Sequence, residues 1–168
     1  MSLLNLISNE LSIQNSRKVT KELYLYKMLL NVSYNEPKVN EKIEITVGKP
    51  FSLRERWAKG GIGSSKLAIS KCSIDIHNLL VLDNNRNTCN IELRPKGIII
   101  RFRSLLETYA LVIPYYKLIL YKEKAQEYSI YIDKQFVKVV ADTKASFKFF
   151  SKISAEKAAN QLPGIEDI

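Results

Sequence analysis

The stretch CNIELRPKGIIIRFR, residues 89–103, decides the fold. CNIELR and IIIRFR each alternate like half-buried strands, and PKG between them is a tight turn. We expect one face of the second strand to meet the core. The side chains on that face are Ile98, Ile100 and Phe102. Arg101 and Arg103 share the opposite face with Ile99. The stretch therefore predicts a hairpin that carries two arginines opposite its core.

Further strand patterns recur at the spacing that is typical of an antiparallel sandwich or barrel. They are LAISKCSIDI (67–76), TYALVIP (108–114), KLILYK (117–122), YSIYID (128–133) and FVKVVA (136–141). The later links are too short for a crossover helix, so we expect antiparallel pairing. The sequence predicts an α+β protein with a small antiparallel β-barrel or sandwich.

Helical patterns flank these strands. Residues 1–36 are predicted to form an N-terminal helical extension that packs on the sheet or mediates self-association. Its two apolar stripes are Leu3, Ile7, Leu11 and Val19, Leu23, Tyr26, Leu30. Residues 142–164 predict one C-terminal helix of about four turns, capped by Asp142 or Thr143. A strand at 146–150 followed by a short helix from Ser154 is the alternative.

Residues 37–65 are predicted to connect the two parts. KIEITV (42–47) alternates and predicts a strand. An irregular stretch follows, with one helical turn over Leu53–Ala58. The predicted division is thus an extension (1–36), a connector (37–65), a β-barrel with its helix (66–162) and a tail (163–168).

Charge and cysteine content limit the class of protein. The chain has 168 residues, with 26 basic against 17 acidic residues and a net charge of +9. Such a protein attracts anionic partners, although the excess also serves solubility. Cys72 and Cys89 lack metal-site spacing, and neither a secretory signal nor a run of about 18 apolar residues is found. We therefore expect a cytoplasmic protein with reduced thiols and no transmembrane segment.

The stretch AKGGIGSSKL (58–67) looks like a phosphate-binding loop. Such a loop needs a buried strand before it, a helix after it and a lysine where Ser64 stands. The flanking sequences predict the reverse, so we interpret the loop as a turn. A glycine nest with basic neighbours remains an alternative anion site. Its predicted residues are Arg54, Arg56, Trp57, Lys59 and Lys66, although we expect Trp57 to pin the loop to the barrel.

Signatures of catalysis are missing from the sequence. The single histidine, His77, shares a predicted strand face with Asp75, and one histidine cannot form a two-histidine metal site. We predict no catalytic residues, no metal site and no cofactor. Of three functional hypotheses, a binding module ranks first, a nucleic-acid-binding protein second and an enzyme of unknown chemistry third.

The C-terminal part resembles pleckstrin-homology-like domains, especially bacterial and GRAM-like members. The resemblance covers about residues 66–162 and rests on PKGIIIRF, ALVIPYYKLILYK and FFSKISAEKAA. It implies six strands and a C-terminal helix that plugs one end of a barrel. Lys96, Arg101 and Arg103 are similar to the basic pattern with which some of these domains hold phosphoinositides.

The predicted function is therefore a non-enzymatic interaction module. We expect it to bind a protein segment or an anionic surface such as anionic lipid. The predicted anion-binding residues are Lys96, Arg101, Arg103 and Lys117, because guanidinium groups on one strand face can take phosphate oxygens. The net charge, together with tyrosines that interleave with lysines, supports nucleic acid as the alternative ligand.

Overall fold

The structure is a computed structural model that describes residues 28–84 and 86–160. The helices are α1 (Pro37–Val47), α2 (Leu53–Ala58), α3 (Ile74–Leu80) and α4 (Lys144–Ala159). The strands are β1 (Leu29–Asn31), β2 (Leu67–Cys72), β3 (Thr88–Arg94), β4 (Gly97–Ser104), β5 (Glu107–Pro114), β6 (Ile119–Lys124), β7 (Glu127–Ile132) and β8 (Gln135–Val140).

Of the N-terminal helical extension predicted over residues 1–36, residues 1–27 lie outside the described residues, as do its predicted self-association and the tail 163–168. Where the second helical stripe enters the described part, it is wrong, because Leu30 belongs to β1. The backbone of β1 pairs with β5, from Leu29 opposite Leu111 to Asn31 opposite Tyr109. Residues ahead of the connector thus join the sheet itself.

The eight strands form one antiparallel sheet in the order β1-β5-β4-β3-β2-β8-β7-β6. The closed barrel that the sequence predicted is therefore wrong. The physical reason is that β1 takes the edge of β5 that β6 would need for closure. The step from Pro114 to Ile119 still spans at most about 18 Å. Buried residues near both ends of the sheet, such as Leu29 and Ile130, share one core, so the sheet is curled.

The main core lies on the inner face of the curled sheet. Inward residues of β3, β4, β5, β7 and β8 meet there, together with α3 and α4. The helix α4 begins at Thr143, whose hydroxyl accepts a hydrogen bond from the Ser146 backbone N–H at 3.1 Å. It buries Phe149, Phe150 and Ile153. The prediction of a single C-terminal helix is confirmed, and the strand alternative is wrong.

A second, smaller core lies on the outer face of the sheet under α1. Here the predicted strand 42–47 is wrong. Pro37 occupies the first turn of a helix, where its missing N–H costs nothing. Val39, Ile43 and Val47 recur every four residues and are buried, whereas Ile45 is 70% exposed. These side chains pack on the outer-face residues Ile99, Ala110 and Val112.

The strand predicted over residues 67–76 ends early. Its first part is β2, but Ile74–Leu80 is the helix α3. Ile76 and Leu80, four residues apart, are buried at 0% and 3% exposure. One helical face therefore supplies the apolar contacts that the alternating pattern had assigned to a strand. The short helix predicted at Leu53–Ala58 and the remaining downstream strands are confirmed.

Candidate functional site: a basic groove with an aliphatic tip

The strand β4 places its two arginines as the alternation predicts. Its inward residues are buried to 2% exposure or less, and they are Ile98, Ile100 and Phe102. On the outer face, Ile99 lies under α1, whereas Arg101 is half-buried and Arg103 is exposed. The helix covers only one half of this face, so both arginines stand on the uncovered half.

Small polar side chains surround these arginines because of the strand register. Asn90 lies opposite Arg101 on β3, and Thr108 lies opposite Arg103 on β5. On the next pair of strands, Ala68 lies opposite Thr88. These short side chains leave an open groove of about 1320 Å³ on the outer face. We call it the outer groove.

The outer groove is predominantly basic. Among its described lining residues, two are carboxylates, Asp83 and Asp142, and four are cationic, namely Lys66, Arg86, Arg101 and Arg103. Arg101 forms an ion pair with Glu92, whose other carboxylate oxygen accepts a bond from the buried Arg94 at 2.6 Å. Within residues 28–84 and 86–160, no hydrogen bond or ion pair neutralises the other three cations. They remain available to an anionic ligand.

The four residues of the first predicted anion site do not come together. Lys96 lies in the β3–β4 turn, seven residues from Arg103, which at about 3.3 Å per residue places it roughly 23 Å away. Lys117 lies beyond the same end of β5 and pairs with Asp133 at 3.1 Å. Only Arg101 and Arg103 of this set line the outer groove.

The second predicted set also divides. Lys66 lines the outer groove, and Arg56 lines an adjoining pocket of about 320 Å³ that also touches Arg101. Arg54 is exposed on α2 and lines neither cavity. Lys59 instead forms an ion pair with Glu156 of α4. The structure thus merges one part of each predicted set into a single basic surface.

Trp57 does not anchor the glycine loop. Its side chain is 86% exposed, so this prediction is wrong. The anchor is Lys152, whose ammonium group donates to the carbonyl oxygens of Lys59 and Gly61 at 2.6 and 2.8 Å. A lysine from α4 satisfies carbonyl groups just beyond the end of α2, and a long cationic side chain fits there better than an indole.

The glycine loop is built as a helix end. Gly60 and Gly61 have positive φ, and their N–H groups donate to the carbonyls of Trp57 and Arg56. Those N–H groups are therefore occupied, and the loop carbonyls face the cation of Lys152. This geometry is the opposite of an anion nest. The loop also runs from a helix to a strand, as we inferred from its flanking sequences.

Two exposed leucines line the outer groove at one end, and two more exposed aliphatic residues follow the helix α3, which a hydrogen bond ties to the same turn. Leu105 and Leu106 form the two-residue β4–β5 turn and are 55% and 90% exposed. Val81 and Leu82 follow α3 and are 56% and 59% exposed. The Ser104 hydroxyl donates to the Leu79 carbonyl and fastens the turn to α3. We call these four residues the aliphatic tip.

Sequence reasoning missed the aliphatic tip and Arg86. A signal for the tip was present, because SLLE (104–107) puts two leucines where a hairpin turn favours glycine, asparagine or aspartate. Arg86 carried no signal, since a single arginine in the polar loop 83–90 has no pattern. Only the position of that loop beside β3 and β4 brings Arg86 to the groove.

The prediction that Asp75 and His77 share one face of a strand is wrong. Both are exposed on α3, and two residues along a helix turn about 200°, so they do not share a face. Cys89 is 1% exposed, and burial raises the pKa of its thiol to about 12. Among residues 28–84 and 86–160, no cluster of three metal-ligating side chains occurs.

Comparison with protein-family models, with curated proteins and with solved structures found no match. The resemblance to pleckstrin-homology-like domains therefore stays a prediction. None of the helices in the described part of the chain is long and apolar enough to cross a membrane.

Proposed function

We propose that this chain is a non-enzymatic binding module and that its outer groove binds an anionic surface. The observation that carries the proposal is the convergence of four cationic side chains from three parts of the chain on one open face. Three of them, Lys66, Arg86 and Arg103, have no neutralising partner among the described residues. Guanidinium and ammonium groups left in this state bind phosphate or carboxylate oxygens.

The shape of the groove favours a surface over a small metabolite. Pockets for small molecules enclose about 300–1,000 Å³ and bury most of the ligand. The outer groove exceeds that volume at about 1320 Å³ and lies open on a sheet face. Its lining combines charged and polar side chains with aliphatic ones. Such a face suits an extended array of charges.

Nucleic acid is the alternative ligand, and the aromatic residues argue against it. Single-stranded nucleic acid is held by aromatic side chains on which bases stack. Among the described residues, Phe102 is the one aromatic side chain that lines the groove, and it is 2% exposed. The exposed Tyr116 lies instead in the link between β5 and β6, and the exposed Tyr121 lies on β6. The part of the groove that the described residues form therefore offers cations without exposed aromatic rings on which bases could stack.

A protein segment is the other alternative, through strand addition at the edge of β6. In the described part of the chain β6 pairs only with β7, which leaves one edge open. That edge carries Lys122, Glu123 and Lys124. Charged residues of this kind protect natural edges from added strands, so the groove is the better-supported site.

The test removes cations that have no structural partner. Arg86→Ala/Arg103→Ala leaves the Arg101–Glu92 ion pair intact. We expect at least a tenfold loss of affinity for vesicles that contain an anionic phospholipid, measured by flotation at about 50 mM salt. The matched control, Lys96→Ala/Lys134→Ala, removes the same charge from exposed positions outside the groove.

The control should bind within twofold of the parent. An equal loss in both variants would mean that only net charge matters, and the proposed groove would be wrong. Unchanged binding in the groove variant would also refute it. Circular dichroism should show both variants folded, because exposed substitutions usually change stability by no more than about 0.5 kcal/mol.

A further inference from the structure

The β4–β5 turn is chemically different from the other two-residue turns of the sheet. Those turns carry Pro95-Lys96, Ala125-Gln126 and Asp133-Lys134. Here the turn carries Leu105 and Leu106, and Leu105 has a φ of 54°. A left-handed backbone disfavours a bulky residue, and an exposed leucine adds no burial. The turn is therefore less stable locally than one with glycine would be, and it exposes two leucines to solvent.

Val81 and Leu82 enlarge this apolar tip. They extend from the C-terminal end of α3, which the Ser104–Leu79 hydrogen bond holds against the end of β4. The four aliphatic side chains are each more than half exposed. Clusters of exposed aliphatic residues mark interaction sites when they lie beside polar rims. The rim here is the basic outer groove.

We propose that the aliphatic tip inserts into a lipid bilayer while the outer groove binds anionic lipid headgroups. This inference rests on the proposed function and names the anionic surface as a membrane. Apolar groups of peripheral proteins enter the headgroup and acyl boundary to a depth of about 5–10 Å. Arg103 precedes Leu105 by two residues, or about 7 Å of strand. With the leucines at the acyl boundary, Arg103 lies at the level of the lipid phosphates.

Two carboxylates near the tip, those of Glu107 and Asp83, already interact with other groups of the protein. The Glu107 side chain accepts a hydrogen bond from the Tyr109 hydroxyl at 2.6 Å, and that bond raises the pKa of Tyr109. Asp83 lies on the groove side of Leu82 and has its own interaction partner. Arg86 and Arg103 are the residues closest in sequence to the tip whose positive charge has no ion-pair partner among the described residues.

The four aliphatic side chains of the tip favour a membrane over the alternative ligands. Nucleic acid offers phosphates and base faces, neither of which solvates leucine. A bilayer offers both phosphates for the groove cations and hydrocarbon for the leucines. Anionic headgroups attract nearby arginines and lysines, so the two parts of the site act together.

The decisive variant is Leu105→Gly/Leu106→Asn. Glycine relieves the left-handed backbone at the first turn position, and asparagine is favoured in such turns. The variant should therefore be at least as stable as the parent while the turn loses its apolar surface. The matched control is Ile45→Ser/Leu53→Ser, which removes two residues exposed at 70% and 76% elsewhere on the surface.

Binding is measured by flotation with vesicles of phosphatidylcholine alone and with vesicles that also contain a quarter phosphatidylserine. We expect the parent to bind the second kind and the turn variant to bind at least tenfold more weakly. The Ile45→Ser/Leu53→Ser control should bind like the parent. Equal loss in the control, or unchanged binding by the turn variant, overturns the insertion.

Insertion depth gives an independent readout. In a Trp57→Phe background, Leu106→Trp places the single tryptophan of the chain at the turn. Its emission should shift to the blue with phosphatidylserine vesicles and be quenched by lipids brominated along the acyl chain. Unshifted emission of the bound protein would refute insertion.

Failure of this inference is distinguishable from failure of the proposed function. If the turn variant binds anionic vesicles like the parent while Arg86→Ala/Arg103→Ala does not, the groove stands and insertion is wrong. If the parent ignores vesicles but binds a single-stranded oligonucleotide through the same arginines, the membrane is wrong and the anionic groove stands. If the parent binds neither, both proposals fall.

Discussion

The substitution Gly97→Ala tests how α1 is held on the outer face of the sheet. Gly97 is the first residue of β4 and pairs with Pro114 of β5. A Cβ atom at this position would lie 2.6 Å from Val47 Cγ1 and 2.8 Å from Pro114 Cα. It would lie closer still to the Ile113 carbonyl oxygen, which belongs to the backbone of the sheet. A rotamer change of Val47 relieves only one of these contacts.

The expected cost follows from overpacking. Forcing one methyl group into a filled site typically costs about 1–3 kcal/mol, and the backbone contacts place Gly97→Ala at the upper end. With a urea m-value of about 2 kcal/mol/M, a loss of about 1–3 kcal/mol lowers the unfolding midpoint by about 0.5–1.5 M. Urea unfolding followed by circular dichroism measures this shift directly.

The matched control is Gly63→Ala. No atom lies within 4 Å of a Cβ built at Gly63, and its φ is not in the left-handed region. This variant should unfold within about 0.3 M urea of the parent, since exposed substitutions usually cost no more than about 0.5 kcal/mol. Equal midpoints for Gly97→Ala and the parent would refute the close approach of α1, β4 and β5.

Three further predictions concern single groups. Thr143→Ala removes the hydroxyl that caps α4, and it should lower the free energy of unfolding by about 0.5–2 kcal/mol in a urea titration. A thiol reagent should label Cys72 before Cys89 in the native protein, since Cys89 is 1% exposed with a pKa raised to about 12, and equal labelling rates would contradict its burial. Hydrogen bonds from Ser52 lower the pKa of Glu55. The ionised Glu55 side chain therefore stabilises the fold near neutral pH, and this stabilisation is lost as the pH falls through the lowered pKa. Thermal melts should therefore show Glu55→Gln less stable than the parent at pH 7 and converging with it in acid.

The proposed site also explains why some basic residues are poor targets for mutagenesis. Arg101 and Arg94 share the carboxylate of Glu92, and Arg94 is 7% exposed. Removing one member of such a group leaves a charge without its partner and destabilises the fold. A binding defect in an Arg101 variant would mix both effects, which is why Arg86 and Arg103 are the informative positions.

The sequence alone determined the hairpins and the faces of their strands. Alternation over residues 89–103 placed Ile98, Ile100 and Phe102 inside and both arginines outside. Short links required antiparallel neighbours, and the two candidate caps Asp142 and Thr143 placed the start of α4, which the structure gives to Thr143. These features depend on neighbours a few residues away, so local periodicity and capping carry the information.

Local pattern failed where two periods fit the same residues. In KIEITV, Ile43 and Val47 satisfy a four-residue repeat, and Ile45 makes them look like a strand as well. Contacts with Ile99 and Val112 decide for the helix. The barrel failed for a similar reason, because pairing between β1 and β5 joins residues some 80 positions apart.

The candidate site shows the same division between sequence and structure. Charge and alternation identified Arg101 and Arg103, but Lys96 was grouped with them although it lies in the turn before the far end of β4. Strand register brought in Lys66, and the packing of α3 against β4 brought in Arg86 and the aliphatic tip. A binding surface is assembled from side chains distant in sequence, so only the tertiary contacts that align those segments decide its membership.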